Sequence, residues 1–263
     1  MEKDFYIEYI DGIECKLKTP FDLSFVSKYG KVFKVFDEQR SGNLCFGTEK
    51  DGQRYFVKFA GAPSVNCGDP LGLAEQLKSA AAVYQELSHP LLIRFILGET
   101  IGGGYAAVFE WTAAVCAGRD YPEARARFMA LPQESRVKVF EDIMTFHAHT
   151  AEKGYVAVDF YDGSIMYDFE QNKTVICDID LYQKTPYTGE LGRWDSADEL
   201  AQFFSREELT QGAVLDEITT VHTMGQTAFD LFADSNRSPE AWTLSPETYA
   251  VIKRAVSSER NQR

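Results

Sequence analysis

At 263 residues, with 44% hydrophobic and 13% aromatic side chains, the chain is long enough for one large core or two smaller ones and too apolar for a disordered segment. Its 27 basic residues against 40 acidic give a net charge of -13, which disfavours nucleic-acid backbones and anionic membrane surfaces as partners and favours cationic acceptors. Ordinary solubility accounts for the same charge equally well.

The opening stretch, MEKDFYIEYIDGIECKL, has no basic head followed by an apolar run, so no secretory signal is read there. No apolar run reaches the roughly 18 residues of a membrane span, and a cytoplasmic protein is expected. From about Gly30 to Ala60, three runs rich in Val, Phe and Tyr (KVFKVF, NLCFG, RYFVKFA) are separated by turn-like DEQRSG and EKDGQ, which predicts an antiparallel meander. GLAEQLKSAAAVYQEL then predicts a helix ending at His89 and Pro90. LLIRFILGE and YAAVFEW predict two more strands around the glycines at 102, 103 and 104.

Beyond Thr112 the pattern turns helical. Val137, Phe140, Met144 and His147 recur at three- and four-residue steps, predicting the buried face of a helix that ends at Gly154. Short strands are predicted at YVAV, SIMYD and TVICDID, then a polar stretch from Tyr182 to Ala201, and helices over Val214 to Phe232 and Pro246 to Val256. Sheet-rich and helix-rich halves predict an α+β chain with a cleft between two lobes. Cys15, Cys45, Cys67, Cys116 and Cys177 are scattered and odd in number, as in reduced, buried thiols. The spacing of His147 and His149 turns them to different helix faces, so no zinc site is predicted.

The chemistry is concentrated between Gly154 and Asp180, in GYVAVDFYDGSIMYD and NKTVICDID. Each short strand is followed by an aspartate, and two carboxylates at one sheet edge suit magnesium, a hard cation that takes oxygen ligands and bridges phosphates. Asx turns at strand ends use the same residues.

The order of these segments resembles the catalytic core of the protein kinases, where a helix-ending glycine is followed by the HRD aspartate, by LKPENILVD and by DFG. DFYDGSIMYD resembles DLKPENILVD and CDID stands where DFG does. YFVK resembles VAIK, HPLLIRFI resembles HPNIVRL, VFEW resembles the fifth strand and hinge, FFSREEL resembles YMSPEEL, and LDEITTVHTMGQTAFDLF resembles the bacterial DERTDVYSLGATLYELL. The resemblance covers residues 30 to 263. It implies a bilobal protein-kinase-like fold of the bacterial Ser/Thr type, with a sheet lobe over 1–111 and a helical lobe over 112–263, and ATP and Mg2+ as cofactors.

By that resemblance Asp159 is the catalytic aspartate, Lys58 holds the alpha and beta phosphates, and Asp178 is the main magnesium ligand. Ser164, in the place of the family's asparagine, and Asp180, in the place of its glycine, join the metal group, with Asp162 as a further source of oxygen. Gly42 is the remaining glycine of the phosphate-covering turn. Phe109 is the gatekeeper, and Glu110, Trp111 and Thr112 offer backbone groups to adenine. Glu207 and Arg263 form a structural ion pair; by position alone Arg263 is a terminal arginine that frays.

Departures concern activity. The turn from Asp37 to Gly42 keeps one glycine, with Asp37 and Gln39 set to hold phosphates off. The helix glutamate that pairs with the lysine is replaced by Ala80, leaving Glu75, Gln76 or Glu86 as substitutes. Ala157 and Val158 replace the histidine and arginine before the aspartate, and Tyr161 replaces the lysine after it. Three functions follow: a Ser/Thr-type kinase acting on a protein, an aminoglycoside-type kinase acting on a cationic small molecule, or a pseudokinase that binds without catalysis.

Overall fold

The computed structural model describes residues 5–188 and 202–263; residues 189–201 of the polar stretch lie outside the described residues. The chain is α+β with antiparallel sheets and divides into two compact units, one of Met1–Ser88 and Ile93–Thr112, the other of His89–Leu92 and Ala113–Arg263.

In the first unit, β1 (Tyr6–Ile10) and β2 (Ile13–Leu17) form a hairpin, followed by a 3-10 turn at Ser24–Tyr29. β3 (Lys31–Phe36), β4 (Leu44–Lys50), β5 (Gln53–Ala60), β6 (Phe95–Ile101) and β7 (Gly104–Glu110) build a five-stranded sheet in the order β3-β4-β5-β7-β6. Two-residue turns with both φ angles positive close three hairpins, at Asp11–Gly12, Asp51–Gly52 and Gly102–Gly103, the turn hand that matches strand twist. Val57 and Phe59 of β5 join Phe46, Val108, Leu17 and Val26 in the core on one face. Strand alternation puts Phe56 and Lys58 on the other, where Tyr84 of the helix α1 (Pro70–Glu86) packs edge-on to Phe109 and stacks on Phe95.

Two expectations need correction here. The hairpin over residues 6–17 was not predicted, and β6 begins at Phe95 rather than Leu91. Leu91 and Leu92 instead join the second unit, where the Leu91 carbonyl accepts from Ile176 N at 2.7 Å and Leu92 bridges Ile176.

The second unit holds β8 (Val115–Cys116), α2 (Pro122–Met129), α3 (Gln133–Glu152), β9 (Tyr155–Val156), β10 (Ile165–Asp168), β11 (Lys173–Ile176), β12 (Gln183–Lys184), α4 (Glu217–Ala233) and α5 (Pro246–Ala255). Its small sheets run β11-β10-β8 and β12-β9. Helix α4 is buried on nearly all sides, as a central core helix must be, and begins at a capping box between Asp216 and Thr219. A Cβ on its Gly225 would stand 2.7 Å from Val256, so only glycine allows the chain after α5 to approach this closely.

The buried face of α3 is Val139, Ile143, Phe146, His147 and Thr150; of the predicted row His147 lies on it, Val137 and Phe140 are half-buried, and Met144 is 43% exposed. Neighbouring positions satisfy the helical period almost equally well, and tertiary contacts decide how deeply each is buried. No helix among the described residues is long and apolar enough to cross a membrane.

Candidate functional site

Lys58 is buried at the middle of the sheet, paired in register with Cys45 on β4 and Ala107 on β7. On the same face Phe56 lies between Phe36 and Phe109, with ring centroids 6.0 and 6.2 Å away. The lysine thus stands beside an aromatic row in which Phe36 and Phe56 are half-buried. On α1, Ala80 is 1% exposed, Glu75 and Glu86 are exposed and Gln76 is half-buried.

The turn between β3 and β4 is fastened within its own unit. Asp37 accepts from Lys16 N at 2.6 Å, Asn66 donates to the carbonyls of Glu38 and Gln39 at 3.2 Å each, and Ser64 donates to the Gly42 carbonyl at 2.6 Å. Gly42 N donates to Gln39 O at 3.0 Å, so its amide is already engaged. After β7, Glu110 N donates to Arg94 O at 2.9 Å and Trp111 N to Arg54 O at 3.2 Å. The Glu110 carboxylate accepts from Arg94 at 3.3 Å.

Among the described residues, seven non-glycine residues have positive φ. Asp11, Asp51 and Asn172 sit in hairpin turns and Asp234 and Ser235 end α4. Asp159 (φ 63°) and Asp178 (φ 54°) belong to neither group. Strained left-handed residues outside turns concentrate at functional positions, and these are the two aspartates named by the kinase resemblance.

Burial alternates along the first loop: Val158, Phe160, Asp162 and Ser164 are buried, while Asp159, Tyr161 and Gly163 are half-buried. Beyond the end of β11, Ile179 is buried and Asp178 and Asp180 are half-buried. The two loops are joined by Cys177 N donating to Ser164 O at 3.0 Å. Both aspartates act on the same two phenols: burial first, then the charges of Asp178 and Asp159, push Tyr161 upward, and burial with the charges of Asp159 and Asp178 does the same to Tyr182.

Tyr182 is held from behind. His147 Nδ1 lies 2.8 Å from Ile143 O and its Nε2 lies 2.7 Å from the Tyr182 hydroxyl. A carbonyl only accepts, so Nδ1 carries the proton and the tyrosine donates to Nε2. Burial lowers His147 to about 4, which keeps it neutral. On the other flank Ala157 N donates to Thr220 Oγ1 on α4 at 3.2 Å.

Asp162 is not a spare metal ligand. Its carboxylate accepts from Arg119 N at 3.2 Å, Arg119 Nη1 at 2.6 Å and Arg125 Nη1 at 3.4 Å. The same arginines reach Asp230, and Arg125 also reaches Asp234. Glu207 anchors the C-terminal end: it accepts from Arg260 at 2.8 Å and from both Nη atoms of Arg263. The Arg263 side chain is fully buried, not frayed. Burial would raise Glu207, but Arg263 and Arg260 outweigh it and hold the carboxylate at about 2.

Among the described residues no group of three or more His, Cys, Asp and Glu side chains is arranged to hold a metal ion. Magnesium needs no such cage, because it keeps waters and takes one or two carboxylates with phosphate oxygens. Asp178 and Asp180, both half-buried, could supply such carboxylates. The buried Ser164 hydroxyl, next to Cys177, has no hydrogen-bond partner among the described residues, and buried hydroxyls are ordinarily paired. His147, Tyr182, Thr220 and the two arginines were missed at the sequence level because only the fold assembles them. No protein-family model matches the chain, and no curated protein matches it either, so the functional case rests on these residues and their geometry.

Proposed function

We propose that the protein is a magnesium- and ATP-dependent phosphotransferase of the bacterial Ser/Thr protein-kinase type, cytoplasmic, in a bilobal kinase-like fold. The observation that carries the reading is the left-handed pair Asp159 and Asp178, outside any turn and acting on the same two phenols. ATP supplies the transferable phosphoryl group and magnesium neutralises its charge. Asp159 takes the proton of the acceptor hydroxyl, and Asp178, with Ser164 and Asp180, holds the metal. Lys58 is assigned to the alpha and beta phosphates, and Phe36 and Phe56 offer apolar faces to a base. The net charge of -13 favours a cationic acceptor.

A binding module without catalysis is the second reading, favoured by one observation: the turn ending at Gly42 is pinned by Lys16, Ser64 and Asn66, and its glycine amide is engaged. Incubation with magnesium and labelled ATP, with either a basic protein or a panel of amino sugars, separates the readings. Label on the protein is the expected result. Label on amino sugars alone assigns a small-molecule kinase, and no transfer with nucleotide still bound assigns the silent module.

A further inference from the structure

We propose that the outer edge of β1 is a docking site for an extended segment of a partner protein, one in which a basic residue stands between two apolar ones. The segment adds a third strand to the β1–β2 hairpin. This hairpin precedes the residues that resemble a kinase, 30 to 263, and stands apart from the chemistry proposed for Asp159 and Asp178.

The turn fixes which backbone groups face outward. Asp11 and Gly12 form a two-residue turn with both φ angles positive, and Ile10 pairs with Ile13 across it. In such a hairpin the pair flanking the turn exchanges both hydrogen bonds, and bonded and open pairs alternate from there. Ile10, Glu8 and Tyr6 therefore bond to β2, while the N–H and C=O groups of Ile7 and Tyr9 point away from it. Lys16, opposite Ile7, obeys the same alternation, since its N–H leaves the hairpin to donate to Asp37 at 2.6 Å. Among the described residues β1 has β2 as its one neighbour, so Ile7 and Tyr9 present two open rungs. Unpaired rungs of this kind are a template for another strand.

The side chains specify what kind of strand fits. Cys15 and Leu17 of β2 enter the core, with Ile10 and Ile13 packed against it, and alternation puts Glu8 on that face and Ile7 and Tyr9 on the other. Ile7 is 42% and Tyr9 61% exposed, two large side chains on the open face of an edge strand that proteins ordinarily guard with lysine or proline. An antiparallel newcomer places one residue directly opposite Glu8, at the position where side chains approach most closely. Its neighbours on either side stand opposite Ile7 and Tyr9.

Charge selects the occupant. Glu8 is half-buried and has no ion pair among the described residues, and Glu14 accepts from the Tyr9 hydroxyl at 3.1 Å. The cations of the hairpin are already spent: Lys16 pairs with Glu38, and Lys18, just past β2, donates to the Cys67 carbonyl. The edge is therefore apolar with uncompensated negative charge, the complement of a basic residue flanked by apolar ones. A second copy of the chain fits less well. A two-fold pairing that uses both rungs within β1 centres on Glu8 and sets two carboxylates against each other, and two molecules of net charge -13 repel.

The test is fluorescence anisotropy with a short labelled peptide of alternating valine and lysine, its valine–glutamate counterpart, and a scrambled peptide with the composition of the first. Wild type is expected to bind the lysine peptide in preference to the other two. Ile7→Pro removes an outward N–H without touching the β1–β2 ladder, and is expected to weaken binding roughly 10-fold with the melting temperature close to wild type. Glu8→Lys is expected to exchange the preference in favour of the glutamate peptide. Amide hydrogen exchange needs no variant: bound peptide is expected to slow exchange at Ile7 and Tyr9. No binding of the lysine peptide by wild type, or binding that neither slows exchange at Ile7 and Tyr9 nor responds to Ile7→Pro, overturns the site. Equal binding of the scrambled peptide overturns strand addition, because charge alone then accounts for it. A dimer in sedimentation that Ile7→Pro dissolves gives the edge to a second copy and overturns the assignment to a basic partner.

Discussion

Replacing Asp159 with alanine is expected to lower phosphoryl transfer by about 1,000-fold and to leave nucleotide affinity and melting temperature close to wild type. A base that takes the acceptor proton acts only once the acceptor is in place, so its loss falls on kcat rather than on nucleotide binding. The local structure supports the separation. Asp159 is half-buried, whereas the loop is held by Phe160 against His147 (ring centroids 4.5 Å apart) and by Ala157 on Thr220. Removing the carboxylate leaves these supports intact, and alanine relieves none of the neighbouring packing. Quenched-flow measurement of transfer, with calorimetric titration of the nucleotide, checks the prediction. Near-normal transfer would remove Asp159 from the chemistry.

Asp230→Ala is expected to do the reverse, destabilising the fold by about 3–5 kcal/mol and lowering the melting temperature by roughly 10 °C. Asp230 is 1% exposed and accepts from Arg119 at 2.5 Å, from Arg125 at 2.8 and 3.1 Å and from Ser235 at 3.0 Å. Without it, two arginine side chains, 29% and 10% exposed, lose their shared counter-charge. Asp162 and the more exposed Asp234 compensate only in part, because an unpaired buried charge costs far more than a pair contributes. Because Asp162 lies three residues after Asp159, activity should fall with stability in this variant. Thermal unfolding and urea titration measure the loss; a melting temperature equal to wild type would show that the network contributes nothing to the fold.

The contrast between these residues also explains what the sequence disclosed. Strands bounded by Asp-Gly and Gly-Gly turns were legible from Lys31 onward, because hairpin chemistry is local. The hairpin over Tyr6–Leu17 carries the same signal, YIEYI and IECKL around Asp11–Gly12, and was readable in principle. The two-residue strands β8 and β12 were not, because they exist only through distant partners, whereas β9 lies within the expected strand YVAV. On α3 the expected row was right in part: His147 is buried, Val137 and Phe140 are half-buried and Met144 is exposed, while Val139, Ile143 and Phe146 complete the buried face, and only packing distinguishes apolar residues one position apart. At the site, Asp159 and Asp178 could be named from segment order. Their supports at residues 119, 125, 147, 182, 220 and 230 are spread over more than a hundred positions and share no local pattern.

The function proposed above assigns magnesium to Asp178 and the nucleotide phosphates to Lys58. The most direct measurement is the melting temperature of wild type, Lys58→Ala and Asp178→Ala with magnesium, with ATP and with both. At about 100 times Kd, binding to the native state adds about 2.7 kcal/mol, or roughly 5–10 °C. The account predicts this rise in wild type only when both ligands are present, and its loss in either variant. No rise in wild type, or an equal rise in Asp178→Ala, would contradict it.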